Sequence, residues 1–246
     1  MQCEQLVVVG DAHLGAVPEH VEEAMLEFLE RVPTLGDALL VNGDLFDFWF
    51  AWRRAIPRGG FRVASALTQL ARRCPVHMTG GNHDRWGDSF WDRDAGIAFG
   101  AEGVRLTVGG ITTLAVHGDG LAEQHWSAKL MHRITRSRVT IAAFRSLPPD
   151  FGFWLVDHLS GKLADSTRDA AVLDRAAAAQ AAWADARMRE EPSLGLLILG
   201  HTHRPALKEV GANRWYLNPG AWLDGLRYAV ANRRGVELRQ FSDSAS

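Results

Sequence analysis

Five short segments of this chain carry residue types that bind divalent metal ions, set beside glycine. They read Asp11-Ala-His13, Gly43-Asp44-Leu-Phe-Asp47, Gly81-Asn82-His83-Asp84, His117-Gly-Asp119 and Gly200-His201-Thr-His203. Carboxylate oxygens and imidazole nitrogens are ligands that hard and borderline divalent ions prefer in proteins. Together the segments predict a metal-dependent hydrolase whose ligands are spread over most of the chain.

Each segment follows, or ends, a run of residues that is typical of a buried strand. Because α/β folds place their sites at the carboxyl ends of strands, we expect the five segments to meet there. Side chains two apart in an extended segment point to the same side. The spacing therefore predicts that Asp11 and His13 act from one strand end, and His201 and His203 from another. The neighbouring glycines predict sharp turns and close approaches of the backbone.

Taken alone, some of these segments have an ordinary explanation. Asp11-Ala-His13 or His117-Gly-Asp119 is also typical of a turn before a capped helix, because Asp and Gly are common turn residues. Short motifs give many false matches, but all five in this order, each behind a strand, favour a metal site over coincidence.

The composition is that of an ordinary globular enzyme. With 246 residues, 47% of them hydrophobic, the chain can bury a substantial core, and we expect a single domain, residues 1–246. A formal net charge of −2 provides no global positive field for nucleic acid. Two distant cysteines, Cys3 and Cys74, favour a reducing cytoplasm. We expect no signal peptide, because the amino terminus is polar. We expect no membrane span, because no apolar run reaches about 18 residues.

Strands and helices alternate in the first part of the chain, and short strands dominate later. The periodicity predicts amphipathic helices from Pro18 and over 61–73, and strand-helix-strand units of this length imply parallel pairing. A hairpin is predicted at Gly109-Gly110. Strands are predicted over 5–9, 38–42, 75–79, 104–108, 111–117, 194–199, 214–217, 227–231 and 236–241. This order predicts two packed sheets with helices outside.

A helical insertion is predicted over residues 121–192. It contains an alanine-rich helix over 174–189, with Ser166 and Thr167 as caps. Before that helix, large apolar residues from Phe144 to Leu159 are interleaved with arginines. This mixture fits either core plus solvated surface, or a lid with an apolar cleft and a basic rim. A lid of that kind would suit an amphiphilic anion, with the protein peripheral on the inner face of the cytoplasmic membrane.

The five segments resemble the calcineurin-like metallophosphoesterase superfamily, and the match covers nearly the whole chain in order. Within it the chain is similar to the family of UDP-2,3-diacylglucosamine hydrolases, lipid A pathway enzymes that cleave a nucleotide pyrophosphate and carry a helical lid. The stretches that carry this similarity are 43–49, 117–119, 200–205 and 220–222. The resemblance implies an α/β fold, a four-layer α/β-β/α sandwich of two mixed sheets with a helical insertion as lid.

The resemblance also implies two divalent metal ions, usually manganese, with iron or zinc as alternatives. Such a pair activates an attacking water and clamps the phosphoryl oxygens. The implied ligands are Asp11, His13, Asp44 and His203 for one ion, and Asp44, Asn82, His117 and His201 for the other. Asp44 would bridge the two ions. The implied reaction converts UDP-2,3-diacylglucosamine to UMP and diacylglucosamine 1-phosphate.

Other residues carry more specific expectations. His83, oriented by Asp84, is predicted to stabilise the developing charge or to protonate the leaving oxygen. Asp47 and Asp119 are predicted to orient metal ligands. The predicted substrate contacts are Arg85, His125, Phe151, Trp154, Lys162 and Arg168.

Two positions depart from the diacylglucosamine hydrolases. His83 stands where that family usually has arginine, and His125 where an acidic residue is usual. A phosphate leaves without much protonation, whereas an alkoxide needs an acid, so His83 leaves phosphomonoesters and phosphodiesters open as substrates. A noncatalytic scaffold on the same fold is a further alternative. It is disfavoured because all seven expected ligand positions are filled.

Overall fold

The computed structural model describes residues 2–121, 126–160 and 170–242. In chain order the strands are β1 (Gln2–Cys3), β2 (Gln5–Val9), β3 (Ala38–Asn42), β4 (Val76–Thr79), β5 (Ala98–Gly100), β6 (Val104–Val108), β7 (Ile111–Ala115), β8 (Leu196–Ile198), β9 (Ala206–Glu209), β10 (Trp215–Asn218), β11 (Arg227–Asn232) and β12 (Gly235–Gln240). The helices are α1 (Glu19–Leu35), α2 (Phe61–Leu70), α3 (Trp126–Arg136), α4 (Arg138–Arg145), α5 (Pro149–Ser160) and α6 (Ala170–Glu190), with a π-helical turn at Phe90–Asp94.

The strands form two mixed sheets of six strands each. The first has the order β12-β11-β2-β3-β4-β5, and β2 to β5 run parallel while β11 is antiparallel to both of its neighbours. The second has the order β1-β6-β7-β8-β10-β9, in which β7, β8 and β10 run parallel. Helical crossovers join β2 to β3 and β3 to β4, as parallel pairing requires.

Alternate side chains of the central strands enter different layers of the core. Leu6 and Val8 of β2 pack between the two sheets, against residues such as Ile198. Val7 and Val9 face the other way and pack against α1 and α2. On the far side, α6 packs on the second sheet through Ala184, Met188 and their neighbours. The chain therefore forms the expected four-layer α/β-β/α sandwich.

Most of the predicted elements are confirmed, within a few residues at their ends. The Gly109-Gly110 hairpin is present, with Val108 paired to Ile111. Three strands, β1, β5 and β9, were not predicted because two to four residues show no period. The π-helical turn was also missed. The predicted caps Ser166 and Thr167 lie outside the described residues.

The predicted insertion divides into two parts. Helix α6 forms the outer layer of the second sheet, so it belongs to the sandwich. Helices α4 and α5 instead pack on the segment after β3, where the rings of Phe50 and Phe144 lie 4.8 Å apart and those of Trp52 and Phe153 lie 5.7 Å apart. Helices α3 to α5 remain the candidate lid. None of the helices in the described ranges is long and apolar enough to cross a membrane.

Candidate metal centre

The five segments meet at the carboxyl ends of five strands from both sheets. The strand before each segment is β2, β3, β4, β7 or β8. Three groups of side chains approach closely enough to hold an ion, with the ligand atoms of each group within 4.8 Å of one another. They are Asp11 with His13 and His203, His13 with Asp44 and His83, and Asp44 with His117 and His201.

The backbone of these segments is strained. A positive φ is uncommon outside glycine, yet five of the seven predicted ligands have one. The φ angles are 50° at Asp11, 46° at His13, 49° at Asp44, 69° at His201 and 56° at His203. The expectation that Asp11 and His13 act from an extended segment is therefore wrong. A left-handed turn at each residue aims the side chain instead.

Hydrogen bonds between segments hold this backbone. The amides of Ala12 and His13 donate to the carbonyl of Asp44, at 2.9 and 3.0 Å. The amide of His201 donates to Oδ1 of Asp11 at 3.0 Å, and that of His83 to Oδ1 of Asp44 at 2.9 Å. Because each segment is tied to another, the strained conformation is over-determined, as is typical of functional sites.

Two glycines are required by close approaches at the centre. A Cβ at Gly81 would lie 2.1 Å from Oδ1 of Asp44. Gly43 has a φ of 78°, and a Cβ there would lie 2.5 Å from Nδ1 of His117. A side chain at either position would displace one of the groups that face the site.

The nitrogen and oxygen atoms that face the centre of the site are suited to binding metal ions. Nε2 of His13 and Nε2 of His203 face each other at 3.3 Å, which requires a proton or a cation between them. Oδ1 of Asn82 is buried and has no hydrogen-bond partner among the described residues. Since buried polar atoms are normally satisfied, this oxygen fits an ion as its missing partner. The donor set, carboxylates, imidazoles and one amide oxygen, suits divalent manganese, iron or zinc.

The rings of His117 and His83 are fixed by backbone carbonyls. Nδ1 of His117 lies 2.9 Å from the carbonyl of Asn42, and Nδ1 of His83 lies 2.7 Å from that of Asp47. A carbonyl only accepts, so Nδ1 carries the proton in both rings. Nε2 is then the atom presented to the site, and that of His117 lies 3.0 Å from Oδ2 of Asp44.

Asp84 does not orient His83, so that prediction is wrong. Its buried carboxylate accepts hydrogen bonds from the backbone amides of Gly81 at 2.9 Å, Leu45 at 2.7 Å and Asp44 at 3.2 Å. Asp84 thus fixes the turn that carries Asp44. The carbonyl of Asp47 orients His83. The Asp47 carboxylate, 3.6 Å from Nδ1 of His13, is placed to orient a predicted ligand, as expected.

Two further predictions are corrected by a buried ion cluster beside the site. Oδ2 of Asp119 lies 3.3 Å from Nη1 of Arg85, 2.7 Å from Nη2 of Arg136 and 3.5 Å from Nδ1 of His132. The side chain of Arg85 is 5% exposed and also pairs with Glu102, so it is not free to contact phosphate. The described ion pairs of Asp119 are with Arg85, Arg136 and His132, so it holds α3 next to His117 instead of orienting a predicted ligand through these contacts.

Two of the other predicted substrate contacts lie on the surface of α5. Phe151 and Trp154 lie exposed on α5, with stacked rings 5.4 Å apart. Described contacts do not join them to the metal centre. His125, Lys162 and Arg168 lie outside the described residues.

Sequence reasoning missed three residues that support the site. Asn42 binds His117 through its carbonyl, Asn218 donates to the carbonyl of Gly200 at 3.2 Å, and Gln180 of α6 donates to that of Gly118 at 3.2 Å. Each had a signal in the sequence. An asparagine closes an apolar strand in two cases, and in the third a lone glutamine interrupts an alanine run.

Burial and charge shift the pKa values of the site. Burial raises the pKa of Asp11 to about 7. Burial, then the charge of His13, lowers the pKa of His203 to about 3. For His117 and Asp44 burial opposes the charged forms, but their mutual attraction holds the pKa of His117 well above its usual value and that of Asp44 well below. Without metal, the site therefore retains protons on Asp11 and His117.

We expect metal binding to compete with those protons. Below pH 7 Asp11 is protonated, so affinity for Mn²⁺ falls as the pH falls, by up to about tenfold per pH unit for each proton displaced. Above pH 7 Asp11 no longer contributes a proton, and the raised pKa values of His117 and His13 leave these two imidazoles as the groups that compete with the metal. Calorimetric titration in buffers of different ionisation enthalpy measures both affinity and proton release. An affinity that stays constant between pH values below and above 7 would contradict this prediction.

The sequence profile of the calcineurin-like phosphoesterases matches residues 5–205. A UDP-2,3-diacylglucosamine hydrolase of Porphyromonas gingivalis is 25% identical over 260 residues, covering 97% of this chain and 98% of the relative. One of Shewanella piezotolerans is 27% identical over 241 residues, covering 94% and 95%. Among solved structures, an archaeal phosphodiesterase superposes with a TM-score of 0.48 at 12% identity, covering 96% of this chain and 98% of that one.

Proposed function

The chain belongs to the calcineurin-like phosphoesterase family, and we propose that it hydrolyses the pyrophosphate bond of UDP-2,3-diacylglucosamine to UMP and diacylglucosamine 1-phosphate. The family and the hydrolase relatives make it a metal-dependent hydrolase of phosphoric esters or pyrophosphates. The substrate is inferred from relatives that match it over nearly their full length. The metal chemistry is supported by ligand groups that share Asp44, next to the unsatisfied oxygen of Asn82.

We propose that the residues around Asp44 would hold two divalent ions, manganese in the first instance. Asp11, His13 and His203 complete one ligand set, and Asn82, His117 and His201 complete the other. When bound, such ions lower the pKa of water and neutralise phosphoryl oxygens. The protein supplies the geometry through the turn fixed by Asp84 and through the carbonyls that orient His117 and His83.

His83 is the proposed group that meets the leaving oxygen. Its side chain is 36% exposed, more than those of His13, His117 and His203, so a substrate can reach Nε2. Protonated at both nitrogens, the ring donates through Nδ1 to Asp47 and presents a positive N–H to the departing oxygen. The same proton also suits an alkoxide leaving group. Hydrolysis of another phosphomonoester or phosphodiester is therefore the second candidate function.

The lid is proposed to bind the acyl chains. Helices α3 to α5 expose large apolar side chains, among them Leu130, Met131, Phe151 and Trp154. A bilayer-resident substrate would bring the enzyme to the inner face of the cytoplasmic membrane as a peripheral protein.

We expect Phe151→Asp and Trp154→Asp to raise KM for the diacylated nucleotide much more than KM for a short, soluble phosphodiester. Each buried methylene is worth about 0.8 kcal/mol, so loss of even two acyl carbons from the cleft gives an increase of roughly tenfold. Leu238→Asp is the control, because Leu238 is an exposed apolar residue on β12, outside the lid. Equal changes in KM for both substrates, or an equal effect of the control, would show that the lid does not select lipid.

A substrate comparison tests the proposed function. Purified protein loaded with Mn²⁺ is assayed with UDP-2,3-diacylglucosamine, an alkyl phosphodiester and a phosphomonoester, and products are identified by ³¹P NMR. We expect UMP and diacylglucosamine 1-phosphate as the fastest-formed products, and no turnover after chelation. If a simple ester is hydrolysed with a higher kcat/KM than the nucleotide, the second candidate function is correct.

A further inference from the structure

A second cleft, of about 460 Å³, opens outside the metal centre. It lies between the segment 51–56, which follows β3, and residues 88–94, which include the π-helical turn. Trp52, Ile56 and Phe90 provide apolar lining. None of the predicted metal ligands lines it.

The rim of the cleft carries more positive than negative charge. Arg53, Arg54 and Arg93 are exposed, and none of them has an ion pair within the described part of the chain. One of the two lining acids, Asp88, is already paired with Arg145 of α4, at 3.4 Å. Of the lining acids only Asp94 is left to offset three guanidinium groups.

Two stretches of the chain, one of which begins at the cleft, are rich in basic residues. Residues 52–62 and 126–149 together hold nine of the 27 Lys and Arg residues and none of the 29 Asp and Glu residues. The remainder of the chain is strongly acidic, although the formal net charge is only −2. Arg62, Arg136 and Arg145 pair with acids outside these stretches, but Arg53 and Arg54 at the cleft have no ion pair among the described residues.

Contacts bring the two basic stretches together. Nε1 of Trp52 donates to the carbonyl of Leu147 at 3.1 Å, and the guanidinium of Arg145 lies 5.7 Å from the centre of the Phe50 ring. The cleft therefore opens beside α4, which in turn contacts α3. Those helices expose Leu130, Met131, Ile134 and Val139 next to their basic residues.

The cleft is separated from the metal centre by a defined stretch of backbone. Two segments leave the centre side by side, one after Asp47 and one after His83. The amide of Trp49 donates to the carbonyl of His83 at 3.0 Å, and that of Ala51 to the carbonyl of Trp86 at 2.9 Å. The cleft lining begins at Ala51 on one segment and at Asp88 on the other, beyond these paired residues or at their end. A group bound in the cleft is therefore distinct from one at the ions.

We propose that this cleft is a second anion site, which binds a phosphate group joined to an apolar body, as in the headgroup region of an anionic lipid. A guanidinium group can donate two parallel hydrogen bonds to the oxygens of one phosphate. An arginine without an ion pair loses no existing partner when it binds phosphate in this way. The apolar lining and the exposed side chains of α3 and α4 fit the attached body. The site needs neither metal nor turnover, so it does not rest on the proposed hydrolase function.

The test compares two pairs of adjacent arginines. In R53Q/R54Q the rim loses two charges. In the control R233Q/R234Q the same change is made in the exposed hairpin between β11 and β12, at the opposite ends of the strands from the metal centre. Sedimentation of the metal-loaded protein is measured with phosphatidylcholine vesicles that contain or lack phosphatidylglycerol. A parallel titration uses inorganic phosphate and glycerol 1-phosphate, with tryptophan fluorescence as the readout.

We expect binding to vesicles only when phosphatidylglycerol is present, and about 30-fold weaker binding for R53Q/R54Q, since each arginine near an anionic surface is worth about fivefold. The control should bind like the wild type. Hydrolysis of a short phosphodiester should be unchanged in both variants, which shows that fold and metal centre are intact. Binding of glycerol 1-phosphate alone, with the same dependence on Arg53 and Arg54, would assign the site to a soluble phosphate ester. Equal losses in both variants, or no binding in either arm, would overturn the proposal.

Discussion

Asp44→Ala is expected to reduce kcat on the best substrate by about 10³-fold or more. The Asp44 carboxylate belongs to two of the three candidate ligand groups and is a proposed ligand of both ions, so its loss removes a ligand from each. Ions of this kind supply several kcal/mol of transition-state stabilisation, and about 4 kcal/mol corresponds to 10³-fold. His117→Ala should have a similar effect through the ion held by His117, His201 and Asn82.

Neither change should unfold the chain, because both side chains face the site and belong to none of the hydrophobic clusters of the core. Thermal unfolding without metal is therefore expected to shift by a few degrees at most, while mass spectrometry shows loss of bound metal. Glu237→Ala, at an exposed carboxylate on β12, is the control and should keep full activity and full metal content. Full activity of Asp44→Ala, or of the wild type after chelation, would refute the two-metal assignment.

The approach of the proposed ligands to one another could be predicted because strand topology brings them together. Polar residues that end buried strands must lie at one edge of a sheet, and β2, β3, β4, β7 and β8 each deliver such residues there. The strained backbone could not be predicted. It depends on amides of one segment that find acceptors in another, as His201 does with Asp11.

The partners of residues that support the ligands could not be predicted from the sequence. Asp84 follows His83 directly, but consecutive side chains point apart, and the buried amides of Gly81 and Leu45 need an acceptor that only Asp84 supplies. Arg85 finds its partner in Asp119, 34 residues away. Such pairings are decided by tertiary contacts, which local sequence does not contain.

His83 separates the two candidate functions through the leaving group. A sugar phosphate has a second pKa near 6 and departs without a full proton, so a fixed positive charge is sufficient. We therefore expect His83→Arg to keep kcat within about tenfold of the wild type on UDP-2,3-diacylglucosamine. An alkoxide leaving group needs a proton in the transition state, and general acids contribute about 10² to 10⁴-fold. The same variant should thus lose at least about 10²-fold on an alkyl phosphodiester.

His83→Gln is the matched variant, because it can donate a hydrogen bond but carries no charge. On the nucleotide it should be worse than His83→Arg, and on the phosphodiester the two should be similarly poor. The backbone amide of His83, which donates to Asp44, is retained in both variants, so bound metal should not change. Rates on both substrates, measured at saturating Mn²⁺ across pH, separate the loss of charge from the loss of a proton. Equal losses on the two substrates would mean that His83 acts through the geometry of the site, with no part in leaving-group departure.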